Sequence, residues 1–262
     1  MPKGRLMAAL LAFLVGLALG SFLNVVATRL PVHEQVWAGR SRCPHCRTPL
    51  PWYDNLPLLS YLVLKGRCRF CGAGISRRYP LLELAGGLLS LALWLRFPWS
   101  PLLLAYGPFG GALLALSAID LEHRLLPDAI TYPGIVLGLV LALFLPHLAF
   151  LAAVLGALLG GGFFFLTGWL YERITGKRGM GGGDVKLLAM IGAFLGVNSL
   201  PYIIFLSATL GTLAGIGLTL AGGDWRGGQW RTTRIPFGPF LAAAALLYLF
   251  IGDKIVEFFG LI

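Results

Sequence analysis

Charged residues are scarce in this chain, since Asp, Glu, Lys and Arg together make up 12% of its 262 residues and only 11 of them are acidic. A soluble domain normally carries about 25% charged residues, so the composition excludes an ordinary water-soluble domain. The chain also has no glycine-rich Rossmann fingerprint, no internal sequence repeat and no low-complexity tract. Cysteine is rare as well, with four residues that all fall in one segment.

Apolar residues are abundant instead: 57% of the chain is hydrophobic and the mean hydropathy is +0.80. Long apolar runs recur along the whole length, which predicts an all-α polytopic membrane protein. The predicted spans are eight, near 6–28, 80–97, 102–119, 129–146, 149–170, 185–197, 201–221 and 237–252. The segment 185–197 is short for a crossing. It either extends through adjacent residues, sits beside thinned lipid, or forms a re-entrant helix covered by its neighbours.

The net charge of +10 would suit a nucleic-acid partner, but the order of the basic residues argues against one. With residues 29–79 placed in the cytoplasm, alternate connections hold all but four of the 21 Lys and Arg residues, as the positive-inside rule requires. The four exceptions are Lys3, Arg5, Arg96 and Lys254. Lys3 and Arg5, with the apolar run after them, also resemble a cleaved signal peptide, but the bias of the later loops outweighs them.

The one sizeable extramembrane segment is 29–79, which is too small to build a large core unaided. We therefore predict three parts: a first helix at 1–28, a cytoplasmic domain at 29–79, and a seven-helix membrane domain at 80–262. All four cysteines lie in the middle part, as Cys43-Pro-His-Cys46 and Cys68-Arg-Phe-Cys71. Two CxxC knuckles offer four thiolates for a tetrahedral structural zinc ion. Two disulfides are the alternative, which a reducing cytoplasm disfavours.

Two acidic residues stand at the ends of apolar segments, Asp120 and Asp184. Two carboxyls held close together share one proton, and such a pair hydrolyses peptides: the ionised member takes a proton from water and the protonated member polarises the scissile carbonyl. Because the pair titrates as a unit, neither member is assigned as the base.

Each of these acids also has a structural interpretation. Asp184 follows Gly181, Gly182 and Gly183 and directly precedes an apolar helix, so it could simply cap that helix. The glycines themselves allow a substrate backbone to come close and the chain to turn sharply. Asp128, eight residues beyond Asp120, competes as the second acid but has a ready role as a helix cap.

Several ordered motifs together resemble one family, the bacterial prepilin peptidases, which are type IV leader peptidases with a second N-methyltransferase activity. Apart from the two cysteine knuckles, the matching stretches are Gly20-Ser-Phe-Leu-Asn24, Arg29-Leu-Pro31, Ile75 to Glu83, Ile119 to Asp128, Gly179 to Leu188 and Ile235 to Pro239. They run in order over nearly the whole chain.

The resemblance implies a GxGD-type intramembrane aspartic protease with Asp184 and Asp120 as its catalytic pair. It also implies substrates that are membrane-inserted prepilins or pseudopilins, cleaved after a glycine on the cytoplasmic face of the bacterial inner membrane. S-adenosylmethionine would then supply a methyl group to the new N-terminus, with Glu83 as a candidate contact. The segment Pro236, Phe237, Gly238 and Pro239 resembles an element near the family's active site, although it could equally just open the last span.

Two other classes of function fit part of the pattern. The first is a proton- or cation-coupled transporter, because acids within a membrane often mark ion pathways. Against it, both acids sit at a membrane boundary and no inverted repeat is detectable. The second is a scaffold whose zinc loop docks partners, which explains the cysteines but not the paired acids. The expected partners are therefore pilin-type substrates and membrane lipids, with no nucleic acid.

Overall fold

The computed structural model describes residues 3–37, 39–145, 148–176, 181–220 and 235–258, and most of these residues lie in α-helices. These ranges contain nine α-helices: α1 (Lys3–Arg29), α2 (Leu59–Val63), α3 (Arg78–Arg96), α4 (Leu102–His123), α5 (Asp128–Ala142), α6 (Phe150–Thr175), α7 (Gly182–Leu195), α8 (Leu200–Leu220) and α9 (Gly238–Phe258). Single 3-10 turns lie at Leu30–Val32, Trp52–Asn55 and Val197–Ser199. Among the described residues no β-strand forms, and the only β-pairing is two isolated bridges.

Each of the eight predicted apolar segments coincides with a helix, which confirms an all-α membrane protein. Within the described ranges, four helical stretches are long and apolar enough to cross a bilayer: Gly4–Val32, Leu102–His123, Phe150–Thr175 and Val197–Leu220. The total of eight crossings stays a prediction. Most of the predicted connection 222–236 lies outside the described residues, as do residues 177–180.

The chain divides into two compact units, Met1–Ile119 and Asp120–Ile262, with the boundary in the last turns of α4. The cysteine segment belongs to the first unit, and both candidate catalytic acids belong to the second. The three-part division at residues 28 and 79 stays a prediction.

In the first unit α1 packs along α3, and glycines set the distance between them. A Cβ atom placed on Gly86 would lie 2.6 Å from the Gly16 carbonyl oxygen, and one on Gly20 would lie 2.7 Å from the Glu83 Cα. Small residues allow membrane helices to approach this closely. Gly16, Gly20 and Gly86 therefore form the close contact between α1 and α3.

The second unit is built around α7, which packs against both α5 and α6. Eight consecutive residues of α7, from Leu187 to Phe194, are buried. At 1.5 Å per residue this 14-residue helix is about 21 Å long, shorter than the roughly 30 Å of bilayer hydrocarbon. Gly196 ends it with a positive φ of 77°. The helix is short and covered by its neighbours, and the choice among the three alternatives for this segment stays a prediction.

Candidate functional site

The structure brings Asp120 and Asp184 into one site within the second unit. Asp120 lies in the last turn of α4 and is 6% exposed, whereas Asp184 lies in the first turn of α7 and is partly buried. Their carboxyl groups are close enough for their charges to repel each other. An aspartic peptidase requires two carboxyls that interact with each other, one protonated and one ionised.

The segment that precedes α9 reaches the same site. The backbone N–H of Gly238 donates a hydrogen bond to Asp120 Oδ2 at 2.9 Å, and the contact is buried. A Cβ atom on Gly238 would lie 2.7 Å from that oxygen, so only glycine fits without displacing the carboxylate. Gly238 was expected near the substrate, and its observed contact is with Asp120.

Phe237 lies beside Gly238 and joins an aromatic cluster. Its ring centroid is 6.1 Å from that of Phe164 and 6.5 Å from that of Phe240. Phe237 and Phe240 also line an open cavity of about 340 Å³, together with Ile235 and residues of α8. The predicted substrate-proximal segment, Pro236 to Pro239, therefore has an apolar cavity on one side and Asp120 at Gly238.

The three glycines before Asp184 do not form the sharp turn that was expected of them. Gly181 adopts an extended conformation with φ of −74°, and α7 already includes Gly182 and Gly183. None of them has the positive φ that a sharp turn would require, so that reason for glycine is wrong. Space explains Gly183, because a Cβ there would come within 3.0 Å of Leu126. Gly181 and Gly182 are exposed, as a backbone that a substrate approaches must be.

Asp128, the competing acid, has a different partner. It begins α5 and forms an ion pair with Lys186, whose Nζ also lies 5.5 Å from the Tyr132 ring centroid. The expectation that Asp128 caps the helix is wrong in detail, since Pro127 occupies the cap position and no side-chain cap bond forms. From the sequence, Lys186 was counted only as one of the cytoplasmic basic residues. Its position two residues after Asp184 was the signal that could have indicated a role near the site.

The four cysteines converge in the first unit. Their sulfur atoms all lie within 4.8 Å of one another, and the Cys43 and Cys71 sulfurs are 3.8 Å apart. All four are free thiols, so the disulfide alternative is not realised. A tetrahedral zinc ion with bonds of about 2.3 Å would set its sulfur atoms about 3.8 Å apart, so the cluster fits a metal ion.

The two knuckles have the same backbone hydrogen bonds, a repeat that the sequence did not reveal. In each knuckle the backbone N–H of the first cysteine donates to the carbonyl five residues later: Cys43 donates to Thr48 O, and Cys68 donates to Ala73 O. The residue four places on donates back to that cysteine, from Arg47 at 2.9 Å and from Gly72 at 3.0 Å. Hydrogen bonds with Thr48 lower the pKa of the Cys46 thiol to about 6, which favours the thiolate that binds metal.

An ion pair missed by the sequence analysis braces the second knuckle. Arg69, between two of the cysteines, donates from Nη2 to Asp54 Oδ1 at 2.6 Å and from Nε to both carboxylate oxygens. The Asp54 side chain is 2% exposed, and the Arg69 hydrogen bonds hold its pKa below the usual range. The guanidinium also lies 5.5 Å from the Tyr53 ring centroid.

Glu83 and Asn24 tie the cysteine segment and α3 to their surroundings. The Leu58 N–H donates to Glu83 Oε2 at 2.8 Å, and Asn24 Nδ2 donates to the Tyr79 carbonyl at 3.1 Å. Leu58 needs such a brace because it holds an unfavourable φ of 60°. Asn24 therefore joins α1 to α3, and Glu83 joins α3 to the residue that precedes α2.

Comparison with known proteins identifies the family. A model of the bacterial peptidase A24 N-terminal domain matches residues 14–97, and a model of the type IV leader peptidase family matches residues 109–216. A prepilin leader peptidase/N-methyltransferase of Burkholderia pseudomallei (strain 1026b) is 40% identical, over 99% of this chain and 90% of the relative.

Proteins of the same name from two other organisms show similar sequence identity and coverage. The one from Pseudomonas putida is 40% identical over 94% of this chain and 91% of its own, and the one from Pseudomonas aeruginosa is 39% identical over 95% and 92%. No solved structure matches the chain. Since these relatives align over nearly their whole length, the chain belongs to the type IV leader peptidase family.

Proposed function

We propose that this chain is a membrane-embedded aspartic endopeptidase that removes the leader of prepilins and pseudopilins. The observation that carries the proposal is the convergence of Asp120 and Asp184, from the ends of two helices, in one partly buried site. The names of its relatives, prepilin leader peptidase/N-methyltransferase, support the substrate class and the second activity.

The chemistry needs only these two groups and water. One carboxylate takes a proton from water, which attacks the carbonyl carbon of the scissile peptide, while the protonated carboxyl stabilises the carbonyl oxygen. Exposed glycine backbone before Asp184 leaves room for an extended substrate chain. Cleavage after a glycine, on the cytoplasmic face of the bacterial inner membrane, follows from the family resemblance and from the distribution of basic residues.

We propose structural zinc for the four-cysteine cluster. Four thiolates complete a tetrahedral site and leave no position for substrate, so the ion would stabilise the 29–79 segment without entering the peptidase reaction. Cys43, Cys46, Cys68 and Cys71 would be its ligands.

The second activity requires S-adenosylmethionine, which would supply the methyl group to the new N-terminus. Glu83 was the candidate contact, but one of its carboxylate oxygens already accepts the Leu58 amide. The contacts around Glu83 fit helix packing better than a site for a methyl donor, and we assign no residue to that cofactor.

The test is direct. Purified protein in detergent is incubated with a prepilin and labelled S-adenosylmethionine, and the products are analysed by mass and by label. We expect a leaderless pilin whose N-terminus carries the label. An intact prepilin, combined with proton flux in liposomes made with the same protein, would favour the transporter, which no observation on the described residues supports.

A further inference from the structure

The two carboxyls of the site have different surroundings, and this difference assigns their roles. Asp120 Oδ2 accepts a buried hydrogen bond from the Gly238 amide. Among the described residues, no donor forms a hydrogen bond with the Asp184 carboxylate, whose electrostatic partner is Asp120. An amide N–H stabilises an ionised carboxylate more than a protonated carboxyl, because a hydrogen bond to a charged acceptor is the stronger one.

Helix dipoles act on both acids and must be weighed against this bond. Asp184 lies at the positive end of α7, which favours its charge, whereas Asp120 lies at the negative end of α4. The positive end of α9 faces Asp120, however, because Gly238 is the first residue of that helix. A direct hydrogen bond to a charged group is stronger than the effect of a helix terminus, so the Gly238 bond decides the asymmetry.

No other charged group of the neighbouring elements reverses this order. From α7 the only further charge in the described residues is Lys186, which is paired with Asp128 of α5. Three charged or titratable residues follow Asp120 closely, and all three are exposed to solvent: Glu122, His123 and Arg124. The described first turns of α9 carry no charged side chain.

We propose that Gly238 holds Asp120 as the ionised member of the pair, so that Asp120 activates water and Asp184 carries the proton. This assignment rests on the proposed peptidase function. Asp120 accepts a proton as the water oxygen bonds to the scissile carbon, and Asp184 gives its proton to the carbonyl oxygen. When the C–N bond breaks, the nitrogen takes the proton from Asp120, and a hydroxyl of the diol returns one to Asp184. Gly238 touches no reacting atom and is a positioning residue.

The first experiment labels the ionised acid. The purified full-length protein is treated with phenyl glycidyl ether, an epoxide that an ionised carboxylate opens to form an ester while a neighbouring acid protonates the epoxide oxygen. Peptide mass mapping then locates the ester. We expect it on Asp120, whereas an ester on Asp184 would overturn the assignment.

The second experiment removes the donor and reads a pH profile. Gly238→Pro has no backbone N–H, and Gly238→Ala keeps it but pushes a Cβ atom against Asp120. In each variant we expect the acid limb of the kcat/KM profile to move to higher pH, by about one unit when the bond is lost completely. Gly211→Ala is the matched control, because its Cβ would lie at an ordinary 3.6 Å from the Phe237 and Phe240 rings.

The outcomes separate the two proposals. A lower rate with an unchanged acid limb in both Gly238 variants would mean that Gly238 only shapes the fold, and the assignment would be wrong. If no ester forms, the pH profiles decide. If Asp120→Asn or Asp184→Asn still cleaves prepilin, the peptidase function itself fails. Inactive Asp variants together with an ester on Asp184 would refute only the division of roles.

Discussion

Lys186 pairs with Asp128 near the start of two helices, so that the N-terminal part of α7 is joined to the first turn of α5. Asp184 lies two residues before Lys186, in the first turn of α7. The pair therefore has two consequences: it engages Asp128 in a structural contact, and it fixes the end of the helix that presents the candidate catalytic acid.

We expect Asp128→Asn to keep most of the cleavage activity. The Asp128 side chain is 60% exposed, and an exposed ion pair contributes about 1 kcal/mol at most, so kcat/KM should stay within about fivefold of the native value. A loss as complete as that expected of Asp120→Asn, measured in the same prepilin assay, would make Asp128 a member of the pair and refute our choice.

The contact between α6 and α7 should tolerate no side chain at Gly192. A Cβ there would overlap the Gly156 carbonyl, and backbone atoms cannot easily move aside. Overpacking of this kind costs about 1–3 kcal/mol, more than the gain in helix propensity of about 1 kcal/mol from alanine. We therefore expect Gly192→Ala to lower the thermal stability in detergent and the cleavage rate.

The control for this substitution is Gly162→Ala. It lies on α6, where a Cβ would meet no atom within 4 Å. Its stability and activity should match those of the native protein. Equal behaviour of the two variants would show that the glycine contact does not position α7.

The Asp54–Arg69 pair should stabilise the cysteine segment in a pH-dependent way. Because the hydrogen bonds from Arg69 lower the pKa of Asp54 in the folded protein, the stabilisation is fully present above the unfolded pKa of about 4 and is lost as pH falls below it. Hydrogen exchange of peptides that cover 52–55 should be faster in Asp54→Asn than in the native protein at pH 7, and the difference should shrink below pH of about 4.

The Asp54→Asn variant must be compared with the native protein because acid also displaces metal from thiolates in both proteins. A difference that stays constant from neutral to acid pH would contradict an ionic contribution of Asp54.

Metal analysis tests the cysteine cluster. The native protein should contain about one zinc ion per chain, and Cys43→Ser or Cys68→Ser should lose it, with faster proteolysis of the 29–79 segment but retained peptidase chemistry. His45→Ala is the control, since His45 is exposed within the first knuckle and should not bind the ion. Unchanged zinc in both cysteine variants would refute the four-thiolate site.

The sequence was sufficient for features that depend on local pattern. Apolar runs predicted α1 and α3 to α9, and the spacing of the cysteines predicted their convergence. Helix ends were less well predicted, because hydropathy ends where polar residues begin, while α4 continues through Asp120 to His123. The short helix α2 has too few residues to give a periodic signal.

Long-range contacts were beyond the sequence. The Gly238 bond to Asp120 joins residues 118 positions apart, and the Arg69 bond to Asp54 depends on the folded cysteine segment. The repeat of the two knuckles was hidden because it lies in backbone hydrogen bonds, with Arg47 and Gly72 as its equivalent left-handed residues.

The most direct test of the account is cleavage of a prepilin by purified Asp120→Asn and Asp184→Asn variants beside the native protein, with product masses recorded over time. Each substitution removes one carboxyl and keeps its shape, so the variants should insert and fold normally. We expect that neither variant releases the leader while the native protein does. Native-rate cleavage by either variant would contradict it.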